Sequence, residues 1–382
     1  MTLTVWARTP DLRRRGQLVV LEGSKVVLRD TGVGTWALTV DGATDTARAF
    51  VKGWGVQVFE DGDFLFSGDA DDVSWTYSGG EAGASWTLEL SGTTDARVLE
   101  DRLVYPNRDK AASAQTSAYY TVRGVPAEDL IAQLINQQAG VGALPARATR
   151  GLLEVKSAHR GTSSSVNARF SNLLDEVRTI AQTSGLVVDV QHRGLAATLE
   201  VVIRERRDRS RAVRFRPGKG LEKVTAGFKA PTSNAVLVAG GGQGAARVIK
   251  EHLAPAPEWA GRRVEVFKDR RDTTEADELE KAGTESLQEG AGSAYATFEV
   301  VDSDLSRFGQ HFWLGDTVTL DLGEFRVSEP VRVVELSWDE YGRAASKITV
   351  GDPTAEDEET TPAVDQRVKA LARAVANLSA RL

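Results

Sequence analysis

The strand-and-turn grammar of Leu18–Ser91 returns near the C-terminal end of the chain, matching in residue type at several positions. Gly62-Asp63-Phe64 with Ser67 corresponds to Gly323-Glu324-Phe325 with Ser328, and Ser74-Trp75 corresponds to Ser337-Trp338, at a nearly constant offset. In both regions a Gly-containing turn and one more alternating strand follow, Ser85–Leu90 and Ala345–Val350. Self-similarity constrains the whole architecture before any local element is assigned. It predicts two copies of a small β-barrel domain. The alternative is two unrelated β domains that share only alternation and turn glycines, and a tryptophan at matching register favours duplication over it.

Within the first region the strands QLVVLEG, KVVLRD, TWALTV, VQVFE, FLFSG, VSWTY and SWTLEL are separated by Gly- and Asp-rich turns. Asp61-Gly62 between apolar runs marks a hairpin. Asp69, Asp71 and Asp72 read as a turn between strands. Trp75, Trp86 and Trp338 fall in apolar alternation, which predicts core positions.

Between the copies the period changes. Pro126 followed by Leu130, Ile131, Leu134 and Ile135, with Gly140 beyond, predicts one helix. Phe170, Leu173, Leu174, Val177, Ile180 and Ala181 share one face of a second, stopped by Gly185. LVVDVQ and ATLEVVIRE predict a hairpin around His192-Arg193-Gly194, so the insertion is a small α+β module. Residues 111–116 and 147–167 are polar and read as loops. The expected fold is α+β, mainly β. Its parts are a first barrel over 1–102, an insertion over 103–217, a second barrel over 218–352 carrying a charged helix at 274–289, an acidic linker at 353–362 and a C-terminal coiled-coil helix at 363–382.

The stretch NAVLVAGGGQGAARVIK, Asn234–Lys250, resembles the start of a phosphate-binding loop. Its context argues otherwise. The spacing Gly242-x-Gly244-x-x-Arg247 lacks a third glycine, no Gly-Lys-Ser/Thr follows, and Pro255 and Pro257 would stop the crossover helix. Two strands, Ala235–Ala239 and Ala245–Leu253, joined by a flexible glycine loop and leading into the second barrel, are expected instead. No cofactor is expected.

Composition narrows the function. The formal net charge of −7 argues against a general nucleic-acid binder. The absence of cysteine removes thiolate nucleophiles, disulfides and Cys-based zinc sites, and suits a protein made in a reducing cytoplasm. No apolar run approaches the ~20 residues of a membrane span, and MTLTVWARTPDLRRR has no signal-peptide core, so neither membrane insertion nor secretion by that route is expected.

The search for chemistry yields no catalytic or metal set. His159, His192, His252 and His311 are scattered without an i+4 partner and read as surface or turn residues. Ser163-Ser164-Ser165 sits in a polar stretch without a Gly-x-Ser-x-Gly elbow. Asp302 and Asp304 lack the ligand ladder of a calcium loop. The basic run Arg204–Lys219 holds eight Lys/Arg against Glu205 and Asp208. Its Arg204, Arg206, Arg207, Arg209 and Arg211 are the candidates for a positive channel or interface if several copies surround an axis, the alternative being a solvated strand end with salt bridges. At the C-terminal end Val364, Val368, Leu371, Val375, Leu378 and Leu382 repeat at 4, 3, 4, 3, 4, a heptad seam that predicts self-association; the alternative is docking of the stripe on its own domain.

The order of two β copies, an α+β insertion, a glycine-rich strand pair and a terminal heptad resembles the tail-hub proteins of long-tailed bacteriophages. SNLLDEVRTIAQTSGLVVDVQ (Ser171–Gln191) and SNAVLVAGGGQGAARV (Ser233–Val248) resemble the hub-like minor tail proteins of siphophages that infect actinobacteria. The resemblance implies a structural, non-enzymatic virion protein of the tail tip, assembled in the host cytoplasm without a membrane anchor. It implies a homotrimer whose two barrels per subunit form a pseudo-sixfold ring capping the hexameric tail tube. The implied partners are distal tube proteins, the tape measure protein, host-facing tip or fibre proteins, and phage DNA in transit. The alternatives from other classes are a tail-associated cell-wall hydrolase and a carbohydrate-binding adhesin.

Overall fold

A computed structural model describes residues 2–351 except 81–82, 272–273, 292, 304–305, 324 and 340–341. The chain is mainly β, with 47% strand against 14% helix. It divides into two compact units, one over Met1–Arg214, Val301–Thr319 and Ser328–Ile348, the other over Phe215–Val300, Leu320–Val327 and the described residues from Thr349. The predicted coiled-coil helix and the acidic linker lie outside the described residues.

The first unit begins with seven strands: β1 (Leu3–Arg8), β2 (Arg14–Leu18), β3 (Ser24–Arg29), β4 (Thr35–Asp41), β5 (Gly55–Glu60), β6 (Asp63–Gly80) and β7 (Gly83–Thr94). Six of them run β4-β7-β6-β5-β1-β2, and the bridge Val20↔Val40 joins the end of β2 back to β4, closing a barrel. The bridge closes the ring at the Val40 end of β4, while the Thr35–Ala37 end pairs antiparallel with β3 and so carries the sheet beyond the barrel. Alternation fills the interior with Val5, Leu18, Leu38, Val40, Val56, Val58 and Leu88. Trp36 crosses this space above Gly68 and Gly92, where an added Cβ would collide with backbone or the indole, so the tryptophan requires those glycines.

Two expectations change here. LTVWAR forms β1, a barrel strand the sequence pattern did not mark, because its single alternating run lies directly before the Arg-rich turn. Asp69, Asp71 and Asp72 lie inside one long strand, β6, and only a register shift between Ala70 and Asp72 marks them. Two of the acids find a use there that strand propensity does not register: Asp69 pairs with Arg8, and Asp71 with Arg97.

The α+β insertion follows, with β8 (Tyr120–Pro126), helix α1 (Ala127–Gln138), β9 (Ser163–Ala168), helix α2 (Leu173–Thr183), β10 (Leu186–Gln191) and β11 (Glu200–Glu205). Leu130, Ile131, Leu134 and Ile135 of α1 are fully buried, each worth about 1.5–3 kcal/mol relative to exposure. They pack against Leu173, Leu174, Val177 and Ala181 of α2 and Leu186, Val188 and Val190 of β10 in one core. Phe170 precedes α2 in the left-handed region (φ 55°), and Asn172 caps the helix by accepting from Leu174 N (2.9 Å) and Asp175 N (3.3 Å). Ser163-Ser164-Ser165, expected in a loop, begins β9 and pairs with β8. Its outward hydroxyls hid the alternation.

In the second unit β12 (Arg214–Pro217) leads to β13 (Gly220–Lys229), which pairs antiparallel with β17 (Ser293–Val300). The residues between β13 and β17 build a separate layer. There β14 (Ala235–Ala239) lies between antiparallel β15 (Ile249–Leu253) and parallel β16 (Glu265–Asp269), and helix α3 (Ala276–Glu289) covers one face through Leu279 and Ala282 on Val236 and Val238. The glycine stretch is thus corrected. Its strands are as expected apart from a 3₁₀ turn at Gly244–Ala246 that shortens the second, but the pair belongs to this inserted layer, and β13 enters the following sheet.

The later strands are β18 (Thr317–Asp321), β19 (Arg326–Asp339) and β20 (Gly342–Val350). Within the first unit β19 runs antiparallel to β3, with Val333 opposite Arg29 and Trp338 opposite Ser24. EFRVSE and VRVVELSW, expected as two strands, supply one continuous strand from Arg326.

Candidate functional site

The two-stranded ribbon β10–β11 has two faces, and period-2 geometry separates them. The even positions Leu186, Val188 and Val190 enter the helical core. The odd positions Val187, Asp189 and Gln191, with Val202 and Arg204 opposite on β11, line a cavity of about 460 Å³ within the first unit. The turn Glu60–Phe64, the start of β6 and residues 308–314 supply the other walls. Gln191 Nε2 donates to Asp189 Oδ2 (2.6 Å), and Val190 N donates to Asp189 Oδ1 (2.9 Å). Protein surrounds the Asp189 carboxyl closely, and that desolvation pushes its pKa up despite both hydrogen bonds. Two cation–π stacks flank the cavity, Arg193 over Phe64 at 5.4 Å and Arg207 over Trp313 at 4.4 Å.

Beside this cavity a buried polar network ties the barrel to the insertion. Arg8 of β1 is fully buried and donates to Asp95 at 2.5 and 2.8 Å and to Asp69 at 2.8 Å. Burial alone would lower the guanidinium pKa, but Asp95 and then Asp69 outweigh it and hold it above its ordinary value. His192 Nδ1 lies 3.4 Å from Arg8, and its Nε2 donates to Ala196 O (2.9 Å). Desolvation, then Arg8, pushes the imidazole down. Gln57 Nε2 donates to His192 O (2.7 Å) and Gly194 O (3.0 Å).

Ser67, His192 and Asp95 are the residue types of a hydrolase triad, but the hydrogen bonds run the wrong way. Ser67 Oγ donates to Asp95 (2.5 Å) and accepts from the His192 backbone N–H (2.8 Å). The imidazole therefore does not receive the serine proton, and with Ser67 only 2% exposed this is a structural clasp. His192, expected at a surface turn, is buried because its ring bridges Arg8 and its own loop. His252 is buried as well, beside α3.

The predicted basic residues divide. Arg204 and Arg207 both bind the buried carboxylate of Asp316, at 3.1 and 2.9 Å. Arg206 joins Arg332 on buried Asp30. Arg209 is half-buried and Arg211 exposed. Neutralisation by Asp316 and Asp30 leaves Arg211 the most solvent-facing of the five. Asp302, weighed as a cation ligand, is held by Arg343 at 2.7 Å together with Glu60, while Asp304 lies outside the described residues. No cluster of three or more potential metal ligands occurs among the described residues.

Trp75 and Trp86, expected in the core, are 40% and 48% exposed, whereas Trp338 is buried and donates to Glu60 Oε1 (3.1 Å). The correction follows from strand length. The β6–β7 hairpin outruns the barrel, so its inward register continues into solvent, where Tyr77 and Trp86 stack at 4.9 Å.

One exposed pair responds to pH. His159, left-handed at φ 61°, sets Nδ1 2.8 Å from Asp129, and that hydrogen bond followed by the charge of Asp129 raises the imidazole pKa above 6.5. Its contribution is fully present below the unfolded value and is lost as pH rises through the folded one. Asp129→Asn is expected to return the His159 ring titration, followed by NMR, to the ordinary histidine range. An unchanged midpoint would contradict the pairing.

The profile of the siphovirus ReqiPepy6 Gp37-like protein family matches residues 2–352. No curated protein matches the chain. Among solved structures, the 43 kDa tail protein of prophage MuSo2 from Shewanella oneidensis is similar at 13% identity and TM-score 0.51, over 93% of this chain and 99% of that one. A tail protein from Neisseria meningitidis MC58 is similar at 12% identity and TM-score 0.47, over 94% and 98%. Prophage tail protein gp18 from Listeria monocytogenes EGD-e is similar at 10% identity and TM-score 0.46, over 98% and 99%. At such identity the likeness to the Shewanella protein bears on the fold alone.

Proposed function

Because this chain belongs to the siphovirus ReqiPepy6 Gp37-like family of phage tail proteins, we propose that it is a trimeric tail-tip hub: three copies form a pseudo-sixfold ring that caps the hexameric tail tube around the path of tape measure and DNA. The observation that carries the reading is the internal repeat. A threefold assembly meets a sixfold tube when each subunit presents the same kind of domain twice. The closed barrel of β1, β2 and β4–β7 is the first such domain. The β19–β20 hairpin supports a second, since β6 and β19 are both long strands carrying Ser-Trp, and each pairs with the strand that follows it. The heptad Val364–Leu382 supplies a seam for the trimer, and Arg211 is the basic residue best placed to meet a neighbour or passing nucleic acid. Distal tube proteins, the tape measure and host-facing tip proteins are its partners.

The role is structural rather than catalytic. The groups that resemble a hydrolase site, Ser67, His192 and Asp95, are committed to internal hydrogen bonds, which disfavours a cell-wall hydrolase. Negative-stain images of the purified full chain test the proposal. Three-subunit particles with six similar lobes around one axis are expected. Isolated single-subunit particles, or rings of another copy number, would contradict it.

A further inference from the structure

The cavity on the odd face of β10 has a lining that the assembly role does not use. Four guanidinium groups, of Arg29, Arg193, Arg204 and Arg207, stand against five carboxyls, of Glu60, Asp61, Asp63, Asp189 and Glu205. Such a balance selects neither a polyanion nor a polycation. The wall is the side-chain face of β10–β11 and not a strand edge, so it offers no backbone ladder to an extended peptide. What it offers is planar hydrogen-bonding groups beside rings. Gln191 Nε2 holds Asp189 Oδ2 at 2.6 Å and so orients the carboxyl on this wall, while Gln191 Oε1 is itself buried. Arg193 and Gln310 bring donors, while Phe64 and Trp313 bring apolar ring surface. A volume of about 460 Å³ suits a ligand of one or two rings.

We propose that this cavity binds a neutral saccharide of one or two rings, whose hydroxyls donate to the Asp189 carboxyl that Gln191 holds in place and accept from Arg193, and whose C–H face packs on Phe64 or Trp313. The site lies within one unit of one chain.

Saturation-transfer NMR on the full chain with maltose, cellobiose and N,N′-diacetylchitobiose tests this, with N-acetylneuraminic acid and spermidine as charged probes. Transfer to ring protons of at least one neutral disaccharide is expected, with affinity about tenfold weaker in Asp189→Asn and in Gln191→Leu, the loss of one satisfied hydrogen bond. Arg193→Ala, at an exposed position, is expected to weaken binding similarly and keeps the test decisive should Asp189→Asn not fold. No transfer to any neutral disaccharide, transfer unchanged in the folded variants, or binding of a charged probe alone would overturn the assignment.

Discussion

Arg8→Ala is expected to destabilise the first unit by about 3–5 kcal/mol, the cost of stranding a buried charge, and to lower its melting temperature by on the order of 10 °C. The reason is the position of the guanidinium. It is completely buried and is the ion-pair partner of Asp95, whose side chain is 2% exposed, and it faces the ring of His192. Truncation leaves Asp95 uncompensated and removes the partner against which the His192 loop is held, so the damage spans both barrel and insertion. The neighbouring Arg13→Ala should change stability by less than about 0.5 kcal/mol, since its pair with Asp11 is an exposed one. Replacing Arg8 and Asp95 together by apolar residues should cost less than Arg8→Ala alone, because no charge is then left buried without a partner. Thermal and denaturant unfolding of the four proteins checks all three expectations. Equal stabilities for wild type and Arg8→Ala would refute the role of the clasp.

The second large effect concerns association. Leu371→Asp and Leu378→Asp are each expected to convert the proposed trimer to monomer at micromolar concentration, because in that assembly an unpaired carboxylate would enter an apolar seam once per chain and therefore three times. Arg373→Ala, at a position outside the 4, 3, 4, 3, 4 spacing of the same segment, should leave the mass unaltered. If both aspartate variants sediment as wild type, the seam at Val364–Leu382 does not hold the copies together.

How much of this was legible depended on whether the physics was local. The helices α1 and α2 were readable because Leu130–Ile135 and Leu173–Ala181 repeat at helical spacing with Pro and Gly at their ends. β3, β4 and β5 were readable from alternation. β6 was not read as one strand, since Asp69, Asp71 and Asp72 look like turn residues until Arg8 and Arg97 appear, from distant positions, as the partners of Asp69 and Asp71. The same holds for His192, whose burial is set by Arg8, 184 residues away in sequence. Trp75 and Trp86 show the converse, because alternation reveals which face a residue takes and not whether anything covers that face. The cavity was half written in LVVDVQHR, where Asp189 and Gln191 alternate with the core valines Val188 and Val190 and Arg193 continues the same register. The walls facing them come from residues 60–64 and 308–314, which no local pattern connects.

Sedimentation equilibrium of the purified full chain bears most directly on the hub proposal. The expected mass is about three times the 41.2 kDa of one chain, stable across micromolar dilution. A species of 41.2 kDa at every concentration, or a dimer, would contradict it.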